Sequence, residues 1–378
     1  MINSHSDGFK RNIIGTVNRY GSIENIGALV SEFQVEGRVA VISDSNVAKL
    51  YLGRCERSLQ ASGFTAYAHV FSPGESNKNL ITYEAIMEFL ADIPLSRNET
   101  IIALGGGVTG DLAGFAAATY MRGVKYIQVP TTLLAAVDSS VGGKTAIDLR
   151  NVKNLAGVFY LPSAILLDVD IISNLSEEIF REGMAEVIKA AAVDSRSFFD
   201  TLMWIGGCEE AKRKNNLNKI IRQAIEIKRK FVNADPKDLG LRHILNFGHT
   251  IAHAVESLSG YKITHGIAVA KGMAAMADMS YSYGLCDKYA RDMLIKMIVL
   301  YGFDTAISFS PVEIFEATKS DKKICGDDID IVVLREIGEC EINHMKLDDF
   351  HDMLLTIPDF ASGKDEVFNT ETGSNDNI

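Results

Sequence analysis

The stretch that decides the fold is TIIALGGGVTG, residues 100–110. Its apolar half predicts a buried strand, and a helical stretch follows it at 111–120. Gly105, Gly107 and Gly110 satisfy the GxGxxG pattern, in which bare backbone can approach a pyrophosphate at a helix N-terminus. A tight strand-to-helix turn with no nucleotide explains these glycines equally well, so the motif alone leaves both interpretations open.

Further apolar runs have the same character and are separated by segments of helix length. They lie at 38–44, 125–130 and 164–168. Such an alternation predicts a parallel, Rossmann-like sheet covered by helices on both faces. Asp44 ends the first of these runs, upstream of the glycines rather than about 20 residues downstream as in the standard Rossmann unit. It predicts either a ribose ligand or a helix cap.

The pattern changes near Ser176, which together with two following glutamates predicts a helix start. Beyond it the sequence is mostly helical, with one β-like run at 329–334 and predicted helices at 218–232, 251–258, 267–283 and 288–300. We therefore predict an α/β N-terminal domain over 1–176, a mostly α-helical C-terminal domain over 177–360, and a disordered polar tail over 361–378.

Composition excludes several classes of partner. The 378 residues carry a formal net charge of -11, which argues against a nucleic acid or a membrane as the main partner. The five cysteines are scattered and form no CxxC pair, so free thiols in a reducing compartment are favoured over disulfides. We see no apolar run of transmembrane length and no signal-type segment near Met1, and we expect a cytoplasmic protein.

Histidines and one glutamate form a candidate metal set. His249 and His253 are four residues apart on a predicted helix and share a face, and His265 follows closely. Glu186 and Lys189 share a face of an otherwise apolar helical stretch, where each is costly to bury alone. A Glu/His/His set with an open position suits catalytic zinc, whereas a structural Glu–Lys ion pair explains the same stretch without metal.

Basic residues next to glycines or polar residues form a candidate anion-binding set. They are Arg122, Lys144, Lys153 with Asn154, Arg242 with Asn246, and Lys322. Lys and Arg beside flexible backbone are suited to phosphate and carboxylate recognition, although each one singly fits a solvated surface group. The Gly-Gly-Lys-Thr string ending at Thr145 lacks the upstream P-loop glycine, since position 138 is Asp138, so an NTPase is rejected.

Taken jointly, several strings resemble the 3-dehydroquinate synthase family of sugar-phosphate cyclases over about residues 39–338. They are SDSNV (43–47), PGE (73–75) with Lys78, GGGVTGD (105–111), MRG (121–123), PTTLL (130–134), VDSSVGGKT (137–145), KN (153–154), GMAEVIK (183–189), LNFGHT (245–250) and HG (265–266). Some positions depart from the usual family residues, namely Asp148, Val152, Asp238, Ile267 and Lys271.

The resemblance implies a role for individual residues. Zinc, with cobalt as the alternative, would be held by Glu186, His249 and His265. NAD would be held by Asp44, Asn46, Glu75, Lys78, Gly106, Gly107, Val108, Asp111, Thr131 and Thr132. The substrate would be bound by Lys144, Lys153, Asn154, Lys228, Arg242, Asn246 and Lys322, with Arg122 from a partner subunit. The catalytic set would be Asp138, Lys189, Asp238 and His253.

The activity implied is conversion of 3-deoxy-D-arabino-heptulosonate 7-phosphate to 3-dehydroquinate and phosphate, in the shikimate pathway. The resemblance also implies that the N-terminal domain binds NAD, that the C-terminal domain binds metal and substrate, and that the protein is a homodimer. Three alternatives stay open: a paralogous cyclase such as an aminodehydroquinate synthase, a metal-dependent polyol dehydrogenase of similar architecture, and a non-catalytic descendant of the family.

Overall fold

The computed structural model describes residues 16–150, 152–319, 324–325 and 327–357. In chain order the strands are β1 (Val17–Tyr20), β2 (Gly37–Asp44), β3 (Phe64–Phe71), β4 (Thr100–Gly105), β5 (Lys125–Pro130), β6 (Lys144–Leu149), β7 (Val152–Phe159), β8 (Ala164–Leu167), β9 (Ile324–Cys325), β10 (Asp328–Glu336) and β11 (Glu339–Lys346). The α-helices are α1 (Ile26–Val30), α2 (Ser45–Val47), α3 (Gly53–Ala61), α4 (Leu80–Asp92), α5 (Gly107–Thr119), α6 (Val169–Ser173), α7 (Glu177–Asp194), α8 (Arg196–Ile205), α9 (Cys208–Ala211), α10 (Lys214–Ala234), α11 (His249–Leu258), α12 (His265–Ser282), α13 (Lys288–Leu300), α14 (Pro311–Thr318) and α15 (Leu347–Leu355).

A six-stranded parallel sheet organises the N-terminal half, in the spatial order β1-β8-β5-β4-β2-β3. Successive side chains of a strand point to opposite faces, and here both faces are buried. Val39 and Val41 of β2 pack with α1 and α3, whereas Ala40 and Ile42 pack with α4 and α5. The predicted parallel sheet with helices on both faces is confirmed.

The strands that the sequence predicted are the most deeply buried ones. Strands β2, β4, β5 and β8 coincide with the four apolar runs. No such signal marks β3, an edge strand in which only the end residues Phe64 and Phe71 are buried, or the largely exposed β7. A half-exposed strand has no continuous apolar run, and for that reason the β6–β7 hairpin was also not predicted.

The chain beyond Ser176 is mostly helical, as predicted. Each of the four predicted helices lies within or close to an observed one: α10, α11, α12 and α13. The β-like run at 329–334 lies within β10, which pairs antiparallel with β11 and with β9. These helices and β10 contribute to one large core, which also takes in α7 and α8 and buries apolar side chains between Leu133 and Leu354.

The carboxyl edge of the parallel sheet brings the glycine loop close to the other strand ends. Gly105 of β4 is in register with Pro130 of β5, and the Thr131 N–H donates to the Gly105 carbonyl at 3.0 Å. A Cβ at position 105 would lie 2.4 Å from Oγ1 of Thr109, so the turn into α5 requires glycine there. The sequence predicted this strand–glycine loop–helix unit.

Glu99 ties the start of β4 to the start of β2. Its carboxylate accepts the backbone N–H groups of Arg38 at 2.6 Å and Ser96 at 2.5 Å, and the Arg38 guanidinium at 3.1 Å. Burial would raise the pKa of Glu99, but these donors outweigh it and lower the pKa. The pKa of Glu99 is therefore lower in the folded protein than in the unfolded protein. Its contribution to the free energy of unfolding is complete at pH values above the unfolded-state pKa, and it is lost as the pH falls through the folded-state pKa.

We predict that Glu99→Gln lowers the free energy of unfolding by about 1–3 kcal/mol at pH 7, because charged hydrogen bonds are lost. The difference from the wild type should shrink below about pH 4, where the glutamate itself becomes protonated. Urea unfolding at both pH values measures this. Glu84→Gln, an exposed position on α4, is the matched control. Equal unfolding midpoints of the two variants at pH 7 would contradict the prediction.

Candidate active site

A cleft of about 980 Å³ opens between the carboxyl edge of the sheet, the β6–β7 hairpin and the helices α11 and α12. It is lined by many of the residues that the sequence singled out: Glu75, Lys78, Gly107, Val108, Asp111, Asp138, Lys144, Lys153, Asn154, Asp238, Asn246, His253 and His265. Predicted cofactor residues and predicted substrate residues therefore face one shared space. The volume is in the range of small-molecule sites in proteins.

His265 of this cleft lies together with the buried side chains of Glu186 and His249, and the ligand atoms of the three residues are within 4.8 Å of one another. Oε1 of Glu186 is 3.5 Å from Nε2 of His249 and 3.3 Å from Nε2 of His265. Ligands about 2.1 Å from a tetrahedral zinc ion stand about 3.4 Å apart. The donor set and its spacing therefore fit such an ion, and three protein ligands leave one position open.

The outer nitrogens of both imidazoles have partners that orient the rings. Nδ1 of His249 is 3.3 Å from the Phe247 carbonyl, and Nδ1 of His265 is 3.6 Å from Oε2 of Glu256. A proton on each Nδ1 leaves each Nε2 lone pair directed at the Glu186 side of the cluster. This is the tautomer that metal binding requires.

The electrostatics of the cluster favour a cation. Burial would raise the pKa of Glu186, but the ammonium of Lys189 and the two imidazoles hold it well below its usual value. Burial, aided by Lys189, lowers the pKa of His249 to about 3, so that ring is neutral. Burial opposes protonation of His265 as well, but Glu186 and Glu256 outweigh it and raise its pKa to about 10. A dication would replace the His265 proton.

The two histidine ligands are brought together by close helix packing at glycines. His249 begins α11 after Gly248, whose φ of 78° is left-handed. A Cβ at Gly272 of α12 would lie 2.1 Å from the Gly248 carbonyl oxygen, so the two helices cross at bare backbone. His265 begins α12, where the Gly266 N–H donates to Glu182 on α7 at 2.7 Å. Glu182 and Glu186 stand one turn apart on α7, so one helix supplies both the anchor and the ligand.

Two of the predicted substrate lysines form ion pairs with acids that line the cleft. Lys144 pairs with Asp238, and Nζ of Lys228 donates to Oδ1 of Asp138 at 2.5 Å. Burial lowers the pKa of Lys228, and Lys228 in turn outweighs burial to lower the pKa of Asp138. Arg242 is buried against the carbonyl of Gly142 at 3.3 Å. Cations and acids are therefore held in close pairs before any ligand binds.

A second network joins the predicted cofactor residues to the hairpin. Buried Lys78 pairs with Asp111, and its Nζ donates to Oδ1 of Asn154 at 2.5 Å. Burial disfavours the ionised form of the Asp111 carboxyl group and raises its pKa to about 6. Asp148, one of the departures from the usual family residues, accepts the Asn154 N–H at 2.7 Å. It helps hold Asn154 at a left-handed φ of 55°.

Other predicted residues lie near the cleft without being part of its lining in the described chain. Asp44 caps α2, accepting the backbone N–H groups of Asn46 and Val47 at 2.9 and 3.1 Å. It thus makes the helix cap, one of its two predicted roles. Gly106, Thr131 and Thr132 follow β4 and β5 at the same sheet edge, and Lys189 is buried beside Glu186.

Three predictions concern residues that a single described chain does not test. Arg122 lies on the turn at Tyr120–Arg122, with a left-handed φ of 67°, and is exposed. The family resemblance implies that Arg122 binds the substrate of a partner subunit. Lys322 and the predicted tail at 361–378 lie outside the described residues.

Sequence reasoning missed several residues that line the cleft, among them Ser139, His243, Thr250, Glu256 and Tyr261. Glu256 had a usable signal: it lies three residues after His253 and seven after His249, on the same face of α11. An acid on the histidine face of a helix with many apolar residues requires a buried partner. The others carry no such pattern in the sequence.

We predict that Gly266→Ala weakens metal binding. A Cβ at this position would lie 2.3 Å from the backbone oxygen of Glu182, so α12 must shift and move His265. We expect a loss of zinc affinity of about tenfold or more, by analogy with the loss of other groups that orient ligands. Competition with a chromogenic chelator measures it.

Gly53→Ala in α3 is the matched control for this prediction. Its Cβ would meet the far end of the Arg57 side chain at 3.4 Å, which is ordinary contact. Zinc affinities that are equal in both variants would show that the α7–α12 contact does not place His265.

Comparison with known proteins gives a consistent result. The family models described as 3-dehydroquinate synthase N-terminal and 3-dehydroquinate synthase C-terminal match residues 68–182 and 183–324. The chain is 38% identical over 338 residues to a protein named 3-dehydroquinate synthase from Streptococcus sanguinis, which covers 88% of this chain and 94% of that protein.

Two solved structures are similar over most of their length. One is a 2-deoxy-scyllo-inosose synthase complexed with carbaglucose-6-phosphate, NAD+ and Co2+, with a TM-score of 0.80, 25% identity, and coverage of 89% of this chain and 95% of that chain. The other is a 2-epi-5-epi-valiolone synthase from Streptomyces hygroscopicus, with a TM-score of 0.82, 24% identity, and coverage of 90% and 95%. Within the described ranges, none of the helices has both the length and the apolar character needed to cross a bilayer.

Proposed function

Because the chain belongs to the 3-dehydroquinate synthase family, we propose that it converts 3-deoxy-D-arabino-heptulosonate 7-phosphate to 3-dehydroquinate and phosphate. The observation that carries the proposal is the Glu186–His249–His265 cluster, whose His265 lines a cleft that Lys78, Lys144 and Lys153 also line. The proposed setting is the cytoplasm, as part of aromatic amino acid biosynthesis.

The cofactors proposed are NAD and a divalent metal, zinc or cobalt. Spacing and buried negative charge at the cluster support the metal. The glycine loop at the start of α5 supports NAD, since bare backbone and a helix N-terminus suit a pyrophosphate. We assign NAD to the domain over 1–176, and the metal and most of the substrate contacts to the domain over 177–360.

When bound, NAD supplies reversible hydride transfer at one carbinol, and zinc acidifies the hydroxyl at that carbon. The chain's own residues bind and orient the substrate. Lys144, Asn154 and Asn246 line the cleft and are the proposed phosphate ligands, and His253, one helical turn from His249, is the residue proposed to move a proton at the phosphate oxygen. Lys228 and Arg242 are the proposed carboxylate ligands, and each would exchange a present contact for the substrate.

The predicted activity is release of inorganic phosphate from the heptulosonate phosphate, with no net change in NADH. His249→Ala should lose zinc and reduce turnover by at least about a thousandfold, since it removes a buried metal ligand. A phosphate assay and metal analysis of the purified protein check both results. Full activity with unchanged metal content in His249→Ala would contradict the metal assignment, and steady NADH accumulation would contradict the proposed reaction.

We further propose a homodimer in which Arg122 reaches the cleft of the partner subunit. Two left-handed residues, Met121 and Arg122, project from the end of α5, and Met121 is 48% exposed. Leu161, at 37% exposure, follows Tyr160, whose ring borders the neighbouring Gly123. An arginine on a strained turn among exposed apolar side chains suits an interface between copies.

Subunit mixing tests this proposal. Arg122→Ala and His249→Ala subunits should each be inactive alone, yet a refolded equal mixture should regain about a quarter of the wild-type activity. Half of the dimers then contain one complete site. No recovery in a mixture shown to contain mixed dimers would contradict a shared site.

A further inference from the structure

Glu256 of α11 is a buried carboxylate whose two oxygens face two different parts of the cleft. The residue is 3% exposed. Its Oε1 accepts Nζ of Lys153 at 2.9 Å, and its Oε2 is 3.6 Å from Nδ1 of His265. One anion is therefore placed between a lysine predicted to bind substrate and a histidine predicted to bind metal.

These two neighbours come from opposite sides of the cleft. Lys153 belongs to β7 of the hairpin, whereas His265 begins α12 in the helical half. Lys153 also lies 4.8 Å from the centre of the Tyr261 ring, which extends its contact with the helical side. The Glu256 carboxylate thus connects the hairpin to the metal cluster through a single side chain.

We propose that Glu256 is a positioning residue that fixes both the His265 ring and the Lys153 ammonium. The proposal rests on the metal site proposed above. Holding a proton on Nδ1 of His265 keeps Nε2 available, 3.3 Å from Oε1 of Glu186. Holding Lys153 by its ammonium fixes a long, flexible side chain at a defined place in the cleft.

A purely structural role of Glu256 predicts a different result. A carboxylate buried beside cations can serve stability alone, in which case its loss would lower the free energy of unfolding without changing the metal or substrate affinity of the folded protein. A positioning role predicts changes in both affinities. Metal affinity is thus the measurement that separates the two roles.

The first experiment measures zinc affinity by competition with a chromogenic chelator for the wild type, Glu256→Gln, Glu99→Gln and His249→Ala. Glu256→Gln keeps the side-chain volume, and we expect its affinity to fall about 10- to 100-fold. Glu99→Gln makes the same change at a buried carboxylate that pairs with Arg38 and should bind zinc like the wild type.

Two outcomes of this experiment overturn different claims. Wild-type affinity in Glu256→Gln, together with loss of zinc in His249→Ala, overturns the role of Glu256 and leaves the metal site standing. Retention of zinc in His249→Ala overturns the metal site itself and the present inference with it.

The second experiment tests the Lys153 side and does not depend on Glu256→Gln binding zinc tightly. At saturating zinc, Glu256→Gln should raise KM for the heptulosonate phosphate when it is made in the otherwise wild-type protein. It should change KM little in a Lys153→Met background, because the ammonium that it places is already absent. If the two substitutions change KM additively, Glu256 does not act through Lys153 and the proposal is overturned. If Glu256→Gln folds poorly, Glu256→Asp takes its place in the same double-mutant comparison.

Discussion

The buried carboxylate of Glu186 is the constraint on which the rest of the site depends. It is 3% exposed and is surrounded by the Lys189 ammonium and two imidazoles. An ionised carboxylate in such a place is costly without cationic partners. Three helices meet around it: α7 supplies Glu186 and Lys189, α11 supplies His249, and α12 supplies His265. Their approach depends on missing Cβ atoms at Gly248, Gly266 and Gly272.

The parallel sheet contributes the other wall of the cleft. Its carboxyl edge carries the glycine loop, and parallel strands bring such loops together at one edge. The lysines facing the cleft are paired with acids: Lys78 with Asp111, Lys144 with Asp238 and Lys153 with Glu256. This arrangement reconciles a net charge of -11 with the proposed anionic substrate, because acids hold the local cations in place at the cleft.

The parts of the molecule that could be predicted from the sequence are those that are deeply buried or that carry residues of specific chemistry. The strands β2, β4, β5 and β8 were predictable because both of their faces are buried. The β6–β7 hairpin was not, since its exposed β7 lacks an apolar pattern, yet it carries Lys153 and Asn154. Periodicity placed His249 and His253 on one face, but no local signal places Glu186 against His265, 79 residues later. That contact depends on helix packing. The residues alone therefore left a Glu/His/His metal set and a structural Glu–Lys ion pair both open, and the family resemblance favoured the metal set.

We propose that Glu186, His249 and His265 hold one metal ion near the glycine loop. The most direct measurement is anomalous diffraction at the zinc edge from crystals grown with zinc and NAD. We expect a single strong peak within about 2.0–2.2 Å of the Glu186 carboxylate and both Nε2 atoms. A cluster without a peak, with Glu186 bound only to Lys189, or a peak on a different set of residues would contradict it.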